Sequence, residues 1–313
     1  MKSNETRSGF KYINAQDLLD DPPPPPEFIV ENLLTPGLTI LAAAPKSGKS
    51  TLLTYMLANI SRGKPVFLSR STRKSKVLYI GLEDGKSRIA RQLQKFKEKD
   101  LFDDSLENFD YVIETDNKGI EFVTQLKSEI KKEGYKVVVI DIMHRIFDPK
   151  RRFGYGAEYD MASALQKCAQ KTNCAVIGVH HTNKRGKKGL DSISGSAGLS
   201  GGTDNTIILN KSSESWADAY LHLNVQGRDI EPQDIWLEYN LSDMGYAEMP
   251  HPPISPNRRD DLKAVADLRI KGLTQTEVAD QLGISQSTVS RYLNQVQYSP
   301  GIIGLTEEEA EML

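Results

Sequence analysis

The segment Ala43-Ala44-Pro45-Lys46-Ser47-Gly48-Lys49-Ser50-Thr51 follows a short apolar run, Leu38–Ala43, and opens an apolar helical stretch from Gly48 to Ile60. A strand, a glycine-lysine-serine turn and a helix in that order can cradle a triphosphate, because successive backbone N–H groups and the helix N-terminus converge on the phosphate oxygens. On this reading Ala44, Pro45, Lys46, Ser47, Gly48, Lys49, Ser50 and Thr51 surround the phosphates. Lys49 reaches the β- and γ-phosphates, and the Ser50 hydroxyl coordinates Mg2+. The implied cofactors are ATP and Mg2+. The phosphate-loop consensus begins with glycine, whereas this chain has Ala43, which tolerates an extended strand end but not a left-handed turn.

Three more apolar runs end in polar groups. Val77–Leu82 stops at Glu83-Asp84, and carboxylates at the C-terminal edge of a parallel strand lie where such sheets bind ligands. Glu83 is therefore the candidate base for an attacking water, with capping of the following helix as the alternative and as the role suggested for Asp84. Val137-Val138-Val139-Ile140-Asp141 offers one carboxylate to hold Mg2+ through water. That pattern is a weak signal alone, and its order and spacing behind the phosphate loop give it strength. Ala175–Val179 ends in His180-His181, either of which can hydrogen-bond a γ-phosphate and report its loss, or serve as a satisfied structural ring.

Strands and amphipathic helices alternate from Phe28 to about Tyr246, which predicts an α/β domain with a mostly parallel sheet covered on both faces. Lys86–Lys99, Gly119–Lys132 and Tyr159–Lys171 have helical periodicity; Lys76–Leu82, Tyr111–Glu114, Lys136–Asp141 and Cys174–His180 read as strands. Thr203–Leu209, Ala219–Val225 and Ile235–Tyr239 follow without long helices between them, which predicts an antiparallel extension of the sheet. Residues 1–27 end in Pro22–Pro26 and read as a tail, either a spacer or an arm against a neighbouring subunit. Residues 28–246 form the expected core, 247–257 a proline-rich linker, 258–297 a small all-helical domain and 298–313 an acidic tail.

Composition bounds the remaining classes. With 38% hydrophobic and 26% charged residues the chain belongs with globular proteins, and no apolar run approaches the roughly 20 residues of a membrane span. The expected location is cytoplasmic, with no membrane partner. Cys168 and Cys174 are too few for a disulfide framework and read as reduced core residues. The net charge of -2 means that any nucleic-acid binding rests on local basic patches.

Taken together, the phosphate loop, Glu83, Asp141 and His180-His181 resemble the RecA-like ATPases, most closely the RepA-type hexameric ATPases and helicases of plasmids and mobile elements. The resemblance covers roughly Glu31–Glu238. It implies a RecA-like core, Glu83 as catalytic base, Asp141 as the metal-holding aspartate and the histidine pair as phosphate sensor. It also implies a basic residue supplied in trans, commonly within Lys-x-Arg. Here Gln226-Gly227-Arg228 is the best match, so Arg228 is the expected arginine finger; a finger elsewhere, with Arg228 on the surface, is the alternative.

Two loops have chemistry suited to single-stranded DNA. One carries Lys150, Arg151 and Arg152 beside Phe153 and Tyr155; the other carries Lys184, Arg185, Lys187 and Lys188. In the resembling family both face a central channel, while solvated loops are the plain alternative. Residues Thr274–Leu293 resemble resolvase-type and sigma-type helix-turn-helix modules, with Thr274 and Glu277 as a capping box and Gly283 at the turn. Gln286, Ser287, Thr288, Ser290 and Arg291 then face outward toward duplex DNA, unless the unit docks protein instead. The expected function is ATP-driven DNA translocation or unwinding by a homo-oligomeric ring, a hexamer, in replication of a plasmid, phage or mobile element. The alternatives are a nucleotide-regulated DNA-binding regulator and an ATPase loader of another replication or defence protein.

Overall fold

The computed structural model describes residues 6–7, 10–25, 27–99, 105–148, 154–182, 202–212, 220–240, 245–249, 256–298, 303–306 and 308–309. The chain divides into two units, Met1–Glu248 and Met249–Leu313. The first begins with two short antiparallel strands, β1 (Thr6–Arg7) and β2 (Phe10–Lys11), and a one-and-a-half-turn helix, α1 (Ala15–Asp20), capped by the Asn14 side chain. The segment that reads as a tail thus contains local structure, although α1 buries none of its residues.

The core follows as β3 (Gly37–Ala43), α2 (Lys49–Arg62), β4 (Val77–Gly81), α3 (Lys86–Glu98), β5 (Phe109–Val112), α4 (Gly119–Glu133), β6 (Val137–Asp141), α5 (Tyr155–Thr172), β7 (Ala175–His181), β8 (Asn205–Lys211), β9 (Tyr220–Gly227), β10 (Gln233–Tyr239) and β11 (Tyr246–Met249). The nine strands β3–β11 form one sheet in the order β11-β10-β9-β8-β3-β7-β6-β4-β5. The central strands are apolar on both faces because helices cover both. Leu41, Val77, Val137, Val139 and Ile177 pack with α2 on one face, while Leu38, Ile40, Leu78, Val138 and Val176 pack with α4 and α5 on the other. β9 buries only alternate residues, as a strand with one covered face should.

Two expectations need correction. The sequence predicts an antiparallel Thr203–Leu209, but β8 lies parallel to β3, from Thr39↔Asn205 to Ala43↔Leu209. The connection after β7 is long enough for a parallel crossover, and the first antiparallel pair within the nine-stranded sheet is β8 with β9. Of the linker expected at 247–257, residues 247–249 belong to β11 and 256–257 to the next helix, while 250–255 lie outside the described residues. β11 is fastened by Tyr246, 1% exposed, against the rings of Tyr55 and Tyr239. Beside it Arg70 grips Glu248 with two charge-assisted bonds of 2.7 Å.

Cys168 and Cys174 are free and buried, and burial pushes both thiols up. Gly178, in β7, lies under the short 3-10 turn Met143–Ile146 that follows β6. A Cβ there would meet Met143 Sδ at 2.3 Å and Cγ at 2.9 Å. Gly178→Ala is expected to cost about 1–3 kcal/mol by overpacking, read as a lowered urea midpoint; an unchanged midpoint would show that Met143 moves aside freely.

The second unit comprises α6 (Pro256–Ile270), α7 (Gln275–Leu282) and α8 (Gln286–Tyr298). Thr274 and Glu277 form the expected capping box, and Gly283 closes α7 with φ of 65°, a left-handed angle that glycine adopts without strain. Ser285 Oγ accepts the Thr288 N–H at 3.2 Å and so caps α8. Val265 of α6 joins Val278, Ala279, Val289 and Leu293 in a buried core. No helix among the described residues is long and apolar enough to cross a membrane.

Candidate nucleotide-binding site

The phosphate loop leaves β3 at Ala43. Ala44, Pro45 and Lys46 are exposed, Ser47 is buried, and Gly48 to Thr51 are half-buried. Lys46 with φ of 62° and Gly48 with φ of 87° turn the chain so that α2 begins at Lys49. Gly48 caps α2 with no side-chain bond, so the first-turn N–H groups remain available to an anion.

β3, β7, β6 and β4 are successive parallel neighbours, and their C-terminal ends therefore share one edge. In register, Ala43 stands beside His181 and Gly81 beside Asp141. Ser50 Oγ donates to Asp141 Oδ2 at 2.9 Å, and Tyr79 donates its hydroxyl to the same oxygen at 2.5 Å. The Leu82 N–H to Asp141 carbonyl bond of 2.9 Å ties the ends of β4 and β6 together. A cleft of about 340 Å³ is lined by Lys49, Ser50, Glu83, Asp84, Asp141 and Arg145, with Gly81 and Arg88. The structure thus brings Lys49, Ser50, Glu83 and Asp141 to a common space.

The two carboxylates after β4 have different settings. Asp84 is 17% exposed and pairs with Arg88 at 3.1 Å, one turn along α3. It does not cap that helix; Gly85 holds the cap position without a side-chain bond. Glu83, 44% exposed, stands at the cleft with Arg145 Nε at 3.8 Å.

Asp141 is 6% exposed, yet among the described residues its Oδ1 has no hydrogen-bond partner, and neither does the buried Ser47 Oγ. Buried polar atoms are ordinarily satisfied, so an unpaired set around a phosphate loop fits a polar ligand. Mg2+ prefers oxygen ligands and retains several from water and phosphate, so Ser50 Oγ and the Asp141 carboxylate suit it.

The histidine pair separates by strand alternation. His180 is 7% exposed, its Nδ1 lies 2.9 Å from the His181 carbonyl, and burial holds the ring below the usual 6.5, hence neutral. His181 is half-buried beside Ala43, and its buried Nδ1 has no partner among the described residues. His180 therefore has its ring buried with Nδ1 engaged, and His181 is the one paired in register with Ala43 at the phosphate-loop edge.

Arg228 does not join its own chain's cleft. It follows Gly227, which pairs with Asn205, and Asn205 pairs with Thr39 in the N-terminal half of β3. From Thr39 to Ala43 the strand rises roughly 13 Å, so Arg228 lies at the opposite sheet edge from Lys49. Its side chain is 62% exposed, and Nη1 sits 3.6 Å from Asp204 Oδ1. Lys150, Arg151, Arg152, Lys184, Arg185, Lys187 and Lys188 lie outside the described residues. On α8, Gln286, Ser287 and Arg291 are exposed and Thr288 and Ser290 half-exposed, while Val289 and Leu293 are buried.

Sequence reading missed Tyr79 and Arg145. Tyr79 is almost fully buried, and burial, reinforced by the Asp141 charge, drives its phenol well above the ordinary tyrosine range, so it is a permanent donor. The available signal was one hydroxyl in an otherwise aliphatic strand. Loss of partners that orient a metal ligand typically weakens metal affinity about 10–100-fold. Tyr79→Phe is therefore expected to raise the Mg2+ concentration for half-maximal nucleotide binding about 10-fold; an unchanged titration would make Tyr79 a packing residue only.

The profile of the AAA domain family matches residues 4–187, and a helix-turn-helix profile matches residues 265–302. No curated protein matches the sequence. Among solved structures, one ATPase domain aligns over 68% of this chain and 85% of its own length, with a TM-score of 0.53 and 16% identity. A KaiC-like protein from Pyrococcus horikoshii aligns over 72% of this chain and 96% of its own, with a TM-score of 0.47 and 12% identity. The likeness to the solved ATPase domain concerns the fold, and the fold is the RecA-like α/β core with a mostly parallel sheet and an antiparallel extension. With its phosphate loop seated at that sheet edge and more than half of its length inside one family match, the chain belongs to the AAA domain family of nucleotide-binding proteins and carries a C-terminal helix-turn-helix segment.

Proposed function

We propose that the chain hydrolyses ATP and couples the cycle to movement along DNA or its unwinding, as a RepA-type ring with ATP sites between subunits. The ring is a hexamer that acts in the replication of a plasmid, phage or mobile element. The observation that carries this proposal is the single cleft shared by Lys49, Ser50, Glu83 and Asp141.

In this mechanism the first-turn N–H groups of α2 and Lys49 hold the β- and γ-phosphates. Ser50 and Asp141 would hold Mg2+, which would supply positive charge to the triphosphate. Tyr79 fixes Asp141 Oδ2 and so orients the carboxylate that would help hold the metal. Glu83 accepts the proton of the water that attacks the γ-phosphorus, the bond to the ADP oxygen breaks, and phosphate leaves. His181 senses that loss from beside Ala43. Arg228 reaches the γ-phosphate of the neighbouring subunit, a geometry supported by its place at the far sheet edge. Lys150, Arg151, Arg152 and the Lys184–Lys188 run contact single-stranded DNA, and Gln286, Ser287, Thr288, Ser290 and Arg291 contact duplex DNA.

The test is phosphate release with single-stranded DNA, duplex DNA or none, for wild type and Lys49→Ala, alongside mass measurement with and without nucleotide. Lys49-dependent, DNA-stimulated turnover by an oligomer is expected. Absent turnover with nucleotide-dependent assembly would instead indicate a DNA-binding regulator. Turnover without DNA stimulation would indicate a loader.

A further inference from the structure

We infer that Asp204 is the positioning residue for Arg228, fixing the guanidinium before a neighbouring phosphate arrives; this rests on reading Arg228 as the finger in trans. Asp204 directly precedes β8 and its side chain is 9% exposed. Its Oδ2 accepts the Leu38 N–H at 2.8 Å. Its Oδ1 accepts the Gln166 amide at 2.7 Å, has the Gln170 amide at 3.4 Å, and faces Arg228 Nη1 at 3.6 Å. The backbone is held as well: the Asp204 N–H donates to the Leu38 carbonyl at 2.9 Å, and the Asp204 carbonyl accepts the Arg228 N–H at 3.1 Å. Asp204 is thus an immobilised anion bonded to β3, α5 and the residue that follows β9.

Two glycines make this junction possible. Gly37 has φ of 133°, and a Cβ there would meet Asp204 Oδ2 at 2.7 Å, so a larger residue would push the carboxylate off the Leu38 N–H. At Gly227 a Cβ would fall 2.0 Å from Asn205 Oδ1, so the last residue of β9 must be small for the strands to close beside Arg228. The Gly227-Arg228 pair singled out in the sequence therefore combines a close backbone approach with an anchored cation.

The ion pair does not consume the arginine. A guanidinium carries five N–H donors, and with 62% of the side chain exposed Arg228 can face a second anion. With the arginine partner mostly in water and 3.6 Å away, the pair adds little to fold stability, so the consequence of Asp204 falls on orientation. Restricting the long side chain beforehand leaves less freedom to lose when the transferring phosphoryl group is met.

Asp204→Asn keeps one acceptor oxygen for the Leu38 N–H and turns an NH2 toward Gln166, whose own amide can rotate to accept it, while removing the charge that faces Arg228. The expected result for the assembled full-length protein is a kcat for ATP lowered about 5-fold, the worth of one ion pair with a water-screened partner, with KM unchanged, and recovery in Asp204→Glu. In an Arg228→Ala background Asp204→Asn should change nothing further, whereas a merely structural role would lower turnover equally in both backgrounds and overturn the inference. Wild-type turnover in Asp204→Asn, with Arg228→Ala strongly impaired, would also overturn it and leave the proposed function standing. Unimpaired Arg228→Ala would remove the trans finger and this inference together. Urea midpoints for each variant separate these results from misfolding.

Discussion

Glu83→Gln should lower ATP turnover about 10³-fold, within the range that a general base contributes, while ATP binding stays near wild type. The amide matches the carboxylate in size but cannot take a proton from water, and Glu83 lines the cleft without contributing to the phosphate loop. The nearby Asp84 cannot readily substitute, because it is mostly buried and paired with Arg88 at 3.1 Å. Phosphate release and equilibrium nucleotide binding, measured on one preparation, distinguish loss of chemistry from loss of affinity. Turnover within tenfold of wild type would assign the base elsewhere.

The second large effect concerns Arg228. Arginine fingers are worth roughly 10³–10⁵ in kcat in phosphoryl transfer, and Arg228→Ala is expected to lose about 10³-fold. Position provides a stricter test than magnitude, because Arg228 and Lys49 lie at opposite edges of the same sheet. Arg228→Ala chains retain a complete phosphate loop, and Lys49→Ala chains retain a complete finger. Mixing the two inactive variants should partly restore turnover, since some boundaries then pair an intact loop with an intact finger. Lack of recovery in mixed assemblies would contradict action across a subunit boundary.

The parts of the site legible in the sequence were those set by periodicity and chain order. β3, β4, β6 and β7 each read as an apolar run with a polar terminus, and parallel pairing brings those termini together. Strand direction was less legible: the sequence of β8 has no mark of being parallel to β3, and only the crossover length could have hinted at it. β11 lay hidden in a stretch that reads as linker because four residues beside prolines carry little pattern, and the partners that hold Tyr246 and Glu248 are far away in sequence. The histidine pair could not be resolved without knowing which ring turns inward. Tyr79 meets Asp141 across 62 residues and Asp204 meets Leu38 across 166, contacts that no local motif encodes.

Catalysis of the proposed kind requires Lys49, Ser50 and Asp141 to grip one Mg2+-bound triphosphate in the 340 Å³ cleft. Calorimetric titration of ATP with Mg2+ into wild type and Lys49→Ala measures that directly. One site per chain is predicted for wild type, with affinity at least about 100-fold weaker in Lys49→Ala, as charge-assisted phosphate contacts of roughly 1.5–3 kcal/mol each would give when that lysine contacts two phosphates. Equal affinity in the two proteins would contradict it.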